Sequence, residues 1–182
     1  MRPVGYLMNT RQGPIGEAGL FYNYILAGNG IFVRARSPLL GATVQIADAP
    51  VRGLLPFKER VELPMGSIPK YIYNLALSIF FTDRCQERYL AVTWEGEYRL
   101  KVPYQETSTC GVIYERLPST VLDIHSHGTM RPFFSGTDDQ DEQGLRLYMV
   151  VGRLDTLMPE IEMRVGVYGY FAPILLNEVF DV

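Results

Sequence analysis

Residues 120–138 read Thr120-Val121-Leu122-Asp123-Ile124-His125-Ser126-His127-Gly128-Thr129-Met130-Arg131-Pro132-Phe133-Phe134-Ser135-Gly136-Thr137-Asp138. The run from Thr120 to Ile124 is strand-like. Side chains alternate faces along a strand, so His125 and His127 project to one side while Leu122 and Ile124 project to the other. The chain has two histidines in all, and both are here. Two imidazoles on one strand face, joined by a carboxylate from the next element, make three N/O ligands suited to zinc. The fourth tetrahedral position is left for water, as in a catalytic rather than a closed structural site. Asp138 is that carboxylate. Ser135-x-x-Asp138 is also a helix start, in which the serine caps and the acids Asp138, Asp139, Asp141 and Glu142 favour the positive end of the helix dipole. The two readings are compatible, because a capped helix start holds Asp138 still.

Outward from this stretch, the pattern is a helix followed by strands. Ser67 is placed to cap a helix with Pro69 in its first turn, and Lys70 to Arg84 carries it, with Ile72, Leu75, Ala76, Ile79 and Phe80 on one stripe. Glu87 to Trp94 reads as a strand, Glu95-Gly96 as a tight turn and Glu97 to Val102 as the return strand. Val112 to Glu115 is a further strand signal. Past the motif, Gly144 limits the helix starting near Ser135 to a turn or two. Leu145 to Val151 and Met163 to Tyr170 are strongly β-like, and Ile174 to Val182 is a terminal strand or a docked tail. Helix, strands, histidine loop, helix and strands describe an α+β layer, a helix packed on a mixed sheet.

Residues 1–65 are rich in glycine and proline and predict a small β-rich module, with the second domain spanning 66–182. Gly19 to Ser37 reads as a hairpin turning at Gly28-Asn29-Gly30, Ala42 to Ile46 as a third strand, and Val51 to Leu63 as extended chain. Gly13 to Gly19 is loop-like, and its glycines lack the spacing and the following helix of a phosphate loop.

At 182 residues, 47% apolar and 20% charged, the chain has the composition of an ordinary soluble globular protein. A net charge of −3 without a basic block argues against a nucleic-acid surface. Cys85 and Cys110 stand apart with no C-x-x-C pairing and read as reduced thiols in a cytoplasmic protein. The start of the chain has no signal-peptide core, and no apolar run approaches the roughly 18 residues of a membrane span.

The pattern H-S-H, seven residues, S-x-x-D resembles, position for position, the signature of the JAMM (JAB/MPN) metalloproteases. The flanking residues 128–134 and 139–142 are similar to the bacterial JAB proteins of the PRTRC cassette. The resemblance implies a JAMM/MPN-like fold over 66–182, Zn2+ as cofactor, His125, His127 and Asp138 as its ligands, and hydrolysis of an amide or isopeptide bond. It also implies a glutamate upstream of the histidines as general base, and Glu87 matches that position. Glu87 shares strand parity with Tyr89, Ala91 and Thr93, a smaller and more polar face than that of Leu90, Val92 and Trp94, and such a face can border a cleft. Glu95 and Glu97 read as turn residues, while Glu62 and Glu17 precede the helix. Ser135 is placed to stabilise the developing oxyanion.

The implied substrate is the C-terminus of a ubiquitin-like protein or its conjugate, bound as an added strand on a sheet edge, with a ThiF-like activating protein as a possible associate. Gly128 stands where many eukaryotic relatives carry proline, and the short stretch from Glu87 to His125 leaves little room for the insertions that grip polyubiquitin. Two other readings accompany the isopeptidase: a non-catalytic MPN-type binding scaffold, and a zinc hydrolase of a small molecule or carrier-protein substrate.

Overall fold

The computed structural model describes residues 2–107, 112–115 and 117–182, so Cys110 lies outside the described residues. The architecture is mixed α+β, mostly strands with few helices. Two compact units make it up. The first comprises Met1–Pro64 with Glu142–Leu145 and Val165–Ala172, the second Met65–Asp141, Arg146–Arg164 and Pro173–Val182.

In the first unit, β1 (Val4–Thr10), β2 (Gly13–Glu17), β3 (Tyr22–Ala27), β4 (Gly30–Arg36), β5 (Gly41–Asp48) and β6 (Arg60–Glu62) form one sheet in the order β2-β1-β3-β4-β5-β6. The expected hairpin is present: Ala27 pairs with Gly30, leaving Gly28-Asn29 as the turn. Strand β2 replaces the expected loop at Gly13–Gly19. It is an edge strand with no buried residue, so it has no apolar alternation to read. Most of Val51 to Leu63 is turn or irregular chain, with only β6 paired. Leu7, Ile25, Ala27 and Phe32 form a core cluster.

In the second unit, β7 (Ile68–Pro69) leads directly into α1 (Lys70–Thr82). Pro69 occupies the cap position, with no side-chain cap hydrogen bond, so Ser67 does not cap. Ile68 is already committed to a parallel pairing with β16 (Phe180–Asp181), which fixes the residues before the helix as strand. Helix α1 buries Ile72, Ala76 and Phe80, while Leu75 is exposed.

The large sheet contains β8 (Tyr89–Trp94), β9 (Tyr98–Lys101), β12 (Thr120–Ser126), β13 (Leu145–Gly152), β14 (Glu160–Val167) and β15 (Tyr170–Pro173), numbered with the small pair β10 (Gln105–Thr107) and β11 (Val112–Tyr114) between them. Its order is β15-β14-β13-β12-β8-β9. Strand β12 pairs antiparallel with β8 and parallel with β13, so the sheet is mixed and the histidine strand is interior. The connection from β12 to β13 carries α2 (Gly136–Asp141). The run Met163 to Tyr170 is divided between β14 and β15 at Tyr168-Gly169, both at positive φ (52° and 88°). Two successive positive φ values suit a two-residue hairpin turn, usually written with asparagine or glycine first. Among the described residues, no helix is long and apolar enough to cross a membrane.

Candidate metal centre

The interior position of β12 explains the burial around its histidines. Leu122 and Ile124 are fully buried on one face, and on the other His125 sits across from Tyr89 and beside Val150. His127 lies just past the strand end, and its N–H donates to Val151 O at 2.8 Å. Beyond it the chain turns sharply: Met130 N donates to His127 O, Leu154 N to Gly128 O and Arg153 N to Met130 O. The loop packs this closely because Gly152 has no side chain, since a Cβ there would stand 2.4 Å from Met130 O.

His125, His127 and Asp138 each offer one ligand atom, and these atoms lie within 4.8 Å of one another. His125 Nε2 is 3.8 Å from Asp138 Oδ1. Two donors on a tetrahedral zinc with bonds of about 2.0 Å stand roughly 3.3 Å apart, so the group is slightly wider than a closed site. Among the described residues, His125 Nε2 and His127 Nδ1 are buried with no hydrogen-bond partner. Orphaned buried polar atoms are uncommon and destabilising unless something occupies them. Two such nitrogens beside a carboxylate fit a divalent cation.

Burial pushes the His125 imidazole down to about 4, against the opposing pull of Asp138, with His127 and Arg164 lowering it further. His127 is lowered as well, again by burial first, while Asp138, a backbone hydrogen bond to Arg131 and Glu162 act the other way. Both rings are therefore neutral near pH 7, the protonation state that binds metal. Aromatic side chains flank them: Phe133 meets His127 edge-on at 4.5 Å, and Phe134 meets His125 at 6.4 Å.

Asp138 is held by the helix start anticipated in the sequence. Its Oδ2 accepts from Ser135 N at 2.6 Å and from Ser135 Oγ at 2.7 Å, and its own N–H donates back to Ser135 Oγ at 3.2 Å. Oδ2 is thus occupied by the cap and Oδ1 faces His125. The Ser135 proton is directed at Asp138 in this state.

Glu87 precedes β8 rather than lying in it. The segment carrying it is fastened to the end of the histidine strand. Arg88 N donates to Ser126 Oγ at 3.1 Å, and Ser126 N donates to Arg88 O at 2.9 Å. Gly128, at φ 57°, admits this segment closely: a Cβ there would lie 2.8 Å from Arg84 O. Proline cannot adopt that φ, so the local backbone accounts for the glycine. Glu87 is half-buried, and its carboxyl pKa is raised, by burial first and by the Asp138 charge second.

Strand β8 does not offer the small, polar, cleft-bordering face expected from the parity of Glu87. Tyr89, Ala91 and Thr93 are as buried as Leu90 and Val92, because β8 lies between β9 and β12 and is covered on both faces. Glu87 lies in the loop before the strand, where it feels the charge of Asp138. Glu95 and Glu97 are turn residues tied to Lys101 and Arg99. Glu62 pairs with Arg36 and Arg60, and Glu17 with Arg2.

Several supporting residues escape a sequence reading. Arg164 is mostly buried, bonds Asp139 at 2.7 Å and lies 3.9 Å over the Phe134 ring. Its partners in α2 and the loop before it are remote in sequence. Ser126 lies between the two histidines, but nothing local announces that its hydroxyl reaches Arg88.

The fold and site together define an α+β domain in which two neutral imidazoles, at and just past the end of an interior strand, stand beside a capped aspartate in a group that could hold a metal ion. Residues 89–165 match the family model described as prokaryotic homologs of the JAB domain, which supports the JAB-domain family for this segment. The family includes metalloisopeptidases, and its prokaryotic members can also be non-catalytic. His125, His127, Ser135 and Asp138 fall inside the matched segment, while Glu87 falls just upstream of it. No curated protein matches the chain.

Proposed function

We propose that the protein is a zinc-dependent hydrolase of an amide or isopeptide bond at the C-terminus of a ubiquitin-like protein. The observation that carries the reading is the pair of orphaned, buried imidazole nitrogens converging with Asp138. In this reading His125, His127 and Asp138 hold Zn2+. When bound, the ion supplies a water of lowered pKa and a Lewis acid toward the substrate carbonyl.

The chain's own residues do the rest. Glu87 takes a proton from the attacking water and delivers it to the departing amine. Its raised pKa suits a group that must both accept and release a proton near neutral pH. Asp138 stays a ligand, with Oδ2 fixed by Ser135. Ser135 turns its single hydroxyl proton from Asp138 Oδ2 to the developing oxyanion, while its backbone N–H keeps hold of the carboxylate. Phe133 and Phe134 limit water around the imidazoles. The likeness of residues 128–134 and 139–142 to PRTRC-cassette JAB proteins supports a small bacterial ubiquitin-fold substrate, a ThiF-like activating protein as associate and a cytoplasmic setting.

The test is cleavage of a ubiquitin-like protein carrying a C-terminal amide-linked reporter, alongside small-molecule amides and a carrier-protein thiocarboxylate, all with one zinc-loaded preparation. The expected result is turnover of the protein conjugate, lost in Glu87→Gln with zinc retained. Preference for a small molecule or the thiocarboxylate would replace the substrate class. A zinc-loaded protein that turns over none of them but binds a ubiquitin-like partner would make it a scaffold.

A further inference from the structure

The first unit contains a pocket of different chemistry. Strand β4 places Arg34 and Arg36 on one face, two residues apart. Arg36 is bound to Glu62 at 3.2 Å, and Glu62 also holds Arg60 at 3.1 Å. Arg34 is treated differently. It is half-buried, and among the described residues no carboxylate lies within ion-pair distance of it; its guanidinium carbon stands 5.8 Å from the centre of the Phe57 ring. Its pKa is lowered, by burial first and by Arg36 second, while the Glu62 charge, beyond bonding distance, acts the other way. A guanidinium taken partly out of water without a directly bonded anion is destabilising for the fold.

Beside it is a pocket of about 170 Å³, lined by Gly19, Leu20, Phe21, Asn23, Arg34 and Arg36 among others. Asn23 pairs directly with Arg34 across the strands. The Asn23 Oδ1 accepts from Gly19 N at 2.8 Å, which fixes the amide and leaves Nδ2 as a donor. The wall is rigid, because a Cβ on Gly19 would stand 2.3 Å from Gly5 N and 2.7 Å from Tyr22 O. The pocket is lined by the Arg34 side chain, whose planar fork suits two-point recognition of an oxyanion, and by the Asn23 amide. The whole chain carries net charge −3, so general attraction for anions does not explain the arrangement.

We propose that this pocket binds a compact oxyanion, a phosphate or carboxylate group, held by the Arg34 guanidinium and the Asn23 amide. The site is independent of the metal centre and of its proposed reaction. Its ligand is a small anionic metabolite or the anionic end of a larger one, since the volume accommodates one such group and little beyond it.

The test is a titration of the full chain with inorganic phosphate and, separately, acetate, at ionic strength held constant with chloride. It is read from the backbone amide NMR signals of Gly19 and Asn23 and the Arg34 Nε–H signal. Saturable shifts confined to these signals are expected, with affinity at least about tenfold weaker in Arg34→Gln. Arg34→Lys, which keeps the charge but loses the fork, is the second variant and is also expected to bind more weakly. Saturation by phosphate alone assigns a phosphoryl group, and by acetate alone a carboxylate; either supports the site. No saturable shift with either anion, or equal affinity in wild type and Arg34→Lys, overturns it.

Discussion

Two polar clusters share one face of the large sheet, beginning two residues apart on the same strand, and they are finished differently. Around Asp123 every partner is supplied by the chain. The Tyr89 hydroxyl donates to one carboxylate oxygen and Arg146 Nη1 to the other at 2.9 Å, and Tyr114 stacks on Tyr89. Burial and the Asp123 charge hold the Tyr89 phenol well above its ordinary pKa, so the hydroxyl remains a donor. Around His125 the chain supplies walls, a capped aspartate and a nearby glutamate, and leaves two imidazole nitrogens without partners. A closed buried network specifies structure, whereas an open one reserves its hydrogen-bonding capacity for something else.

Perturbations should separate the two clusters. The largest effect is expected from Asp138→Ala, which removes the carboxylate of the open cluster. Turnover should fall by about 10³-fold or more and bound zinc should be lost, measured by activity and metal analysis on the same sample. Full zinc and activity would remove Asp138 from the ligand set. Glu87→Gln should keep zinc and lose about 10²- to 10⁴-fold in turnover; surviving turnover would assign the base to another carboxylate.

The closed cluster should respond in stability alone. Asp123→Asn leaves Arg146 partly buried without its counter-charge and should cost about 3–5 kcal/mol in urea unfolding of the metal-free protein. Zinc stoichiometry in the folded variant should be unchanged, and a loss of zinc would mean that the two clusters act as one.

Acid should reach the open cluster through its histidines. His125 is lowered to about 4 in the fold from an ordinary value of 6.5. Above pH 6.5 neither folded nor unfolded chain carries the proton and stability is unaffected. Between 6.5 and 4 the unfolded chain binds it and the fold does not, so metal-free stability falls as pH falls, by about 3 kcal/mol in total. Urea unfolding at pH 7.5 and 5.0 reads this, and His125→Gln should flatten the slope. An unchanged slope would place the titration elsewhere. The smallest effect is expected from Ser135→Ala: about 1 kcal/mol from the lost cap and roughly tenfold weaker zinc binding as Asp138 loosens, measured by competition with a chelator. Unaltered zinc affinity would mean that the cap does not position the ligand.

What the sequence made legible follows from how local each signal is. The Gly28-Asn29 turn, helix α1 and the alternation through His125 and His127 are written within a few residues. Ser67 reads as a cap only until β7 is seen pairing with β16 from the far end of the chain. Strand β2 buries nothing and so leaves no pattern, and the Tyr168-Gly169 turn hides in the β-like run from Met163 to Tyr170. The aspartate cap was readable because its hydrogen bonds span three positions. The Asp123 network and the Ser126 fastening of the Glu87 segment were not, because their partners meet only when the sheet assembles.

The most direct test is the metal content of the protein purified without added zinc or chelator. The account predicts about one zinc per chain, lost on His127→Ala. Protein that arrives metal-free and takes up no zinc on titration would contradict it, reducing the orphaned imidazoles to buried side chains beside a capped helix.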